Sequence, residues 1–148
     1  MPWNARDLQQ GAHLDLLYSQ AVLEHVEDLE DAHRTLAGFV RAGGVAIHAI
    51  DFRSHCITPG WDGHLQYPPN VWRLVKGRRP YLLNRKSPGE HLAALDAAGF
   101  EVLAQLRIHA APTLAVNDRA TVFRGWSDED RRTTSMTVVA RRRNAHHG

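Results

Sequence analysis

The sequence predicts an α/β fold, a mostly parallel sheet with an antiparallel C-terminal strand, carried by residues 14–141. Three observations lead there. Between Leu14 and Asp51 two short apolar runs flank a helical pattern, and parallel strands need a crossover of that length between them. A second capped helix near 88–98 runs through Gly99 into an alternating strand at 100–108. A last apolar run from Met136 then returns beside that strand, most simply as its antiparallel partner.

Residues 1–13, mostly polar and without a sustained period, are expected to form an irregular lead-in. Leu14, Leu16, Leu17 and Tyr18 make a near-continuous apolar run, the pattern of a strand covered on both faces and spanning about 14–18. Asp28 is placed to N-cap the next helix, and Glu27, Glu30 and Asp31 put negative charge at the positive end of its dipole. Leu29, Ala32, Leu36, Phe39 and Val40 fall on one stripe, which gives a helix near 28–41. Gly43 and Gly44 should stop it, since glycine accepts the left-handed C-terminal conformation.

The second strand, 45–51, ends on Asp51, at the edge where open α/β sheets bind ligands. Residues 52–86 then lose periodicity, with six prolines and glycines from Pro59 to Gly77 set among Trp61, Tyr67, Trp72 and Tyr81. A connection this long and aromatic reads as a functional cover. Ser87, Pro88 and Glu90 start the next helix with a capping box, and Leu92, Leu95 and Ala98 supply its buried stripe. Phe100, Val102, Ala104, Leu106 and Ile108 alternate with more polar residues, predicting one strongly apolar face. A short helical turn at 127–132 precedes the strand at 135–141, and 142–148 form a basic tail.

At 148 residues the chain is long enough for one domain with a real core, and no run approaches the length of a membrane span. Cys56 is the only cysteine, which excludes an internal disulfide and suits a reducing compartment, so a cytoplasmic location is expected. The formal charge of +2 is spread among interspersed arginines and acids, a solvated-surface pattern that argues against nucleic acid as partner. The run Arg141 to Arg143 is expected to belong to a frayed tail.

Four segments together carry a resemblance. Asp15 to Val26 reads DLLYSQAVLEHV, Asp51 to His55 reads DFRSH, Asn84-Arg85 precedes the capped helix, and Gly99 to Val102 reads GFEV. In order and spacing they resemble the C-terminal half of a class I S-adenosylmethionine-dependent methyltransferase of the type 11-like kind. The resemblance implies a partial Rossmann-like methyltransferase sheet, S-adenosylmethionine as cofactor and a small-molecule or saccharide-precursor acceptor. It places Ser19, Gln20, Ala21 and His25 against the cofactor, much of the contact coming from backbone. Asp51 and His55 become the catalytic pair, with histidine suited to proton transfer at neutral pH. Arg53, His64, Trp72, Asn84 and Arg85 fall around the acceptor.

Such enzymes also cradle the cofactor on a glycine-rich turn and hold its ribose with an acidic residue, and this sequence contains neither. Gly43-Gly44 follows a helix instead of opening one. The expectation is therefore a truncated methyltransferase with an incomplete cofactor site, its isolated chain inactive. The competing expectation is a non-catalytic module or pseudoenzyme that pairs with a second chain, or with its own copy, along the strand at 14–18. A zinc set drawn from Asp51, His55, Cys56 and His64 lacks a recognisable spacing, and no metal is expected.

Overall fold

The computed structural model describes residues 14–79 and 81–144, so the expected lead-in at 1–13 and the end of the tail lie outside the described residues. Strand β1 (Leu14–Gln20) is followed by a single 3₁₀ turn at Leu23–His25, helix α1 (Leu29–Phe39) and strand β2 (Val40–Asp51). The connection holds a 3₁₀ turn at Gly63–Gln66 and helix α2 (Pro69–Lys76). Helix α3 (Pro88–Ala97), strand β3 (Phe100–His109), the short helix α4 (Asp128–Arg132) and strand β4 (Thr133–Arg142) complete the chain. The four strands form one sheet in the order β1-β2-β4-β3. β1 pairs parallel with β2, while β4 runs antiparallel to both β2 and β3.

The caps behave as their chemistry requires. Asp28 accepts the Asp31 amide at 2.9 Å, and Ser87 with Glu90 closes a reciprocal capping box at the start of α3. Ser127 likewise caps α4. Helix α1, however, ends at Phe39, before the glycine pair. Val40 is already extended and pairs with Leu14, and the next register contact is Leu16 with Val45, so residues 41–44 bulge out of β2. Gly44 is needed there by close approach, since a Cβ would stand 2.9 Å from the Leu14 carbonyl oxygen. The pair shapes a bulge instead of stopping a helix.

Helices α1 and α3 pack on one face of the sheet. Ala46, His48 and Ile50 of β2 lie opposite Ala140, Val138 and Met136 of β4, and all six are buried there with Leu29, Ala37, Ala94, Leu95 and Phe100. Among the described residues the other face stays open: Tyr18, Ile47, Val139 and Ala104 form one row across the four strands and Gln20, Ala49, Thr137 and Leu106 the next. Two expectations fail for this reason. β1 is an edge strand with Leu16 and Tyr18 exposed, not one covered on both faces. β3 is the other edge, and its apolar Leu106 and Ile108 face solvent.

The cover is more regular than its sequence suggests, since Pro69 starts α2 at a position where no amide hydrogen is needed. The described arginines of the tail are also tied down. Arg142 ends β4, Arg141 pairs with Glu101 at 2.8 Å, and Arg143 binds both Asp96 and the Gly99 carbonyl.

Three histidines occupy the core beneath the helices. His33 of α1, His48 of β2 and His91 of α3 are each at most 1% exposed, and the His33 and His48 rings meet edge-on at 5.4 Å. Among the described residues only Nδ1 of His48 has a partner, the Ser19 hydroxyl at 2.7 Å. Burial holds all three neutral, with pKa values lowered to about 4, about 4 and about 3. The unfolded chain takes up these protons near pH 6.5, so stability is full above that value and falls as pH drops toward 4, by up to about 1.4 kcal/mol per pH unit for each ring. Urea unfolding at a series of pH values should show this slope, and His91→Leu should make it shallower; an unchanged slope would contradict the assignment.

Candidate functional site

The C-terminal ends of β1 and β2 point the same way and carry the predicted site residues side by side. Beyond β1 the chain turns sharply at Ala21, whose φ is +51° and whose amide donates to the Ala49 carbonyl at 2.9 Å. A left-handed alanine costs energy that the surrounding pairing must hold. The turn opens a groove of about 460 Å³ lined by Ala21, Val22, His25, Val26, Glu27 and Tyr81. It is mostly apolar at its floor and open to solvent. Gln20 reaches toward the open sheet face, accepting from the Tyr18 hydroxyl at 2.8 Å. Ser19 points the other way, into the core against His48, so its side chain is not directed at this groove.

At the end of β2 a second groove of about 410 Å³ is lined by Asp51, Arg53, Ser54, His55, Cys56 and Trp61 among others. Burial works against ionisation of Asp51, but the Arg53 guanidinium, bonded to it at 2.7 to 3.1 Å, outweighs that and holds the carboxyl below its usual range. Nε2 of His55 stands 3.5 Å from Asp51. His55 and Cys56 are both left-handed, at φ +50° and +62°, and this double turn aims the imidazole back toward β1. There it meets the His25 ring edge-on at 5.2 Å, so the two grooves join at this pair. Beneath them lies Glu24, only 2% exposed, with no partner for either carboxylate oxygen among the described residues. Burial pushes its pKa up.

The predicted acceptor residues of the cover are brought close to this pair but are heavily engaged. Asn84 donates to the carbonyls of Leu23 and Val26 at 2.8 and 2.7 Å and receives the Lys86 amide, clamping the turn after β1. Arg85 donates to the Tyr67 carbonyl at 2.6 Å and lies over the Trp72 ring at 4.5 Å, with its pKa lowered by burial to about 10. Trp72 is buried and stacks with Tyr67. His64, also buried, is held neutral, its pKa lowered to about 4 by burial and then by Arg85.

One interaction had no signal in the sequence. Asp62 and Arg119, both with fully buried side chains, form an ion pair at 2.7 Å, and Asp62 also accepts the Thr113 amide at 3.1 Å. The pair ties the cover to the segment between β3 and α4. Fifty-seven residues separate the partners, so no local pattern links them.

No protein-family model and no curated sequence matches the chain. Solved structures do. An S-adenosylmethionine-dependent methyltransferase from Mesorhizobium loti superposes with a TM-score of 0.55 at 19% identity, over 88% of this chain and 62% of its own. The fold is that of a class I methyltransferase, in part. A chain from the complex of the Haloferax volcanii Trm112 methyltransferase activator with its methyltransferase gives 0.52 at 13% identity, covering 90% of this chain and 56% of that one. The cyclase SpnF matches as well, with a TM-score of 0.52 at 13% identity, over 89% of this chain and 50% of its own. The methyltransferase fold thus also serves a protein named for cyclisation, and the chain spans less than two thirds of each of these neighbours.

Two outcomes test the cover. Asp62→Ala leaves the Arg119 charge buried and uncompensated and should cost about 3 to 5 kcal/mol of stability in denaturant unfolding. Asn84→Ala frees two carbonyls and should lower stability by about 1 to 3 kcal/mol, with faster amide exchange at residues 23–26.

Proposed function

We propose that the chain is the acceptor-side half of an S-adenosylmethionine-dependent methyltransferase acting on a small molecule or saccharide precursor. The observation that carries this reading is the meeting of two grooves at the ligand-binding edge of a methyltransferase-type sheet, with His25 and His55 at their junction. The groove beyond β1 would take part of the cofactor, with contacts from the backbone at Ser19 and Ala21 and from the Gln20 and His25 side chains. S-adenosylmethionine supplies a sulfonium-bound methyl group. The protein's task is to hold an acceptor in line with that methyl carbon and to keep water out, and alignment of this kind can contribute roughly 7 to 11 kcal/mol. His55, oriented by Asp51, would take the acceptor proton. Arg53 and the cover residues His64, Trp72, Asn84 and Arg85 would shape the acceptor side, mostly by fixing the walls. The exposed thiol of Cys56 suits a reducing, cytoplasmic setting.

A second reading has its own support. Among the described residues β1 is paired on one side only and lies beside an open apolar face, and one structural neighbour was solved with an activator chain. On this reading the chain is a non-catalytic module that pairs through β1 with another chain or with its own copy.

Calorimetry separates the two. The chain alone is expected to give no isotherm with S-adenosylmethionine tighter than about millimolar, a free energy near −4 kcal/mol. Expressed with the sequence encoded directly upstream, it should bind at micromolar level if that sequence holds a glycine-rich strand-turn-helix, and His55→Ala should then lower kcat by about 10² to 10⁴. Absence of cofactor binding by that longer protein would sink the transferase reading and leave the pairing module.

A further inference from the structure

We propose that Glu24, His25 and His55 form a divalent-cation site of the zinc or cobalt class at the junction of the two grooves. One ligand atom from each residue lies within 4.8 Å of the others, a spread that a single ion can draw together. The strongest support is the state of Glu24. Its carboxyl is 2% exposed, sits where burial disfavours charge, and has no hydrogen-bond donor among the described residues. A buried carboxylate is normally paired or coordinates a metal. Nδ1 of His25 is likewise buried without a partner. Two imidazoles and a carboxylate are the donor set that suits zinc and its neighbours in the first transition row, and they leave coordination positions open.

The surroundings fit. Asp51, 3.5 Å from Nε2 of His55, can orient that imidazole as carboxylates hydrogen-bonded to metal-bound histidines do. Its own charge is balanced by Arg53, while Glu24, when ionised, has no ion-pair partner among the described residues. The consecutive left-handed residues His55 and Cys56 swing the His55 ring across the gap from β2 to the turn after β1. The ion would therefore cross-link the two strand ends.

Binding of the ion stands whether or not the chain transfers a methyl group. If it does, and this part rests on the transferase reading, the ion would supply Lewis acidity to an acceptor hydroxyl, whose proton would pass to solvent water as the methyl moves from the sulfonium sulfur to the oxygen and S-adenosylhomocysteine leaves. Activation then passes from the His55 imidazole to the cation.

The test uses the full chain carrying His146→Ala and His147→Ala, so that these adjacent histidines cannot contribute, and titrates it with Co²⁺ and Zn²⁺. One equivalent should bind with micromolar or tighter affinity, give the visible d–d absorption of protein-bound cobalt, and raise the thermal midpoint. His25→Ala and His55→Ala should each weaken binding by about 100-fold or more and Asp51→Asn by about tenfold, while His109→Ala should leave it unchanged. Glu24→Gln should leave the metal-free midpoint unchanged or higher, because it removes a buried charge, yet abolish the metal-induced rise. Circular dichroism on each variant separates lost binding from lost folding. Absence of saturable binding in the folded parent, or binding indifferent to both His25→Ala and His55→Ala, would overturn the site.

Discussion

Burial of a single sheet face beneath two helices is the constraint on which the rest of this structure depends. Ala46, His48 and Ile50 of β2, with their partners on β4, face α1 and α3 and carry the apolar core. Small residues at Ala46 and Ala140 let the helices approach closely. The cost is borne by His33, His48 and His91, which fill the same layer with five ring nitrogens lacking partners among the described residues. Neutrality is what makes that layer tolerable, and it couples the integrity of the sheet to pH.

From this layer the site follows mechanically. β2 is held on both sides by hydrogen-bonded neighbours, so Asp51 leaves the sheet at a defined point and height. Among the described residues β1 is held on one side only, but Asn84 locks the turn that follows it from across the cover. The buried Asp62–Arg119 pair in turn anchors the cover to the segment after β3. A chain of contacts thus runs from the Asp62–Arg119 salt bridge through the cover to the turn that carries His25. Arg85, inserted between Trp72 and Phe123, stiffens the middle of that chain.

The open face and the open edge belong together. A strand such as β1, with apolar Leu16 and Tyr18 exposed, is usually covered or blunted in a protein that stays alone. The structural neighbours carry more chain than this one, and the Haloferax volcanii example was solved with an activator. A transferase with more chain and a module that pairs with a second chain would each cover this surface.

Much of the architecture was legible from Leu14 to Asp51 and from Ser87 to Ile108, because caps, glycines and periodicity are local signals that act before tertiary contacts form. The parallel crossover, both capped helices and the antiparallel return of β4 all follow from them. What local pattern could not settle was which apolar faces would be used. Leu106 and Ile108 look like core and are not, while His33 and His91 look like surface and are buried, since burial depends on strand order and on which side the helices cross. The same holds for the site. Asp51, His25 and His55 were readable as residues near a strand end, but the orphaned carboxyl of Glu24 and the ion pair of Asp62 with Arg119 exist only once distant segments are brought together. Sequence by itself determined the elements and the strand edge where the proposed site lies; tertiary structure alone decided which side chains meet there, because proximity across thirty to sixty residues is set by packing and not by spacing.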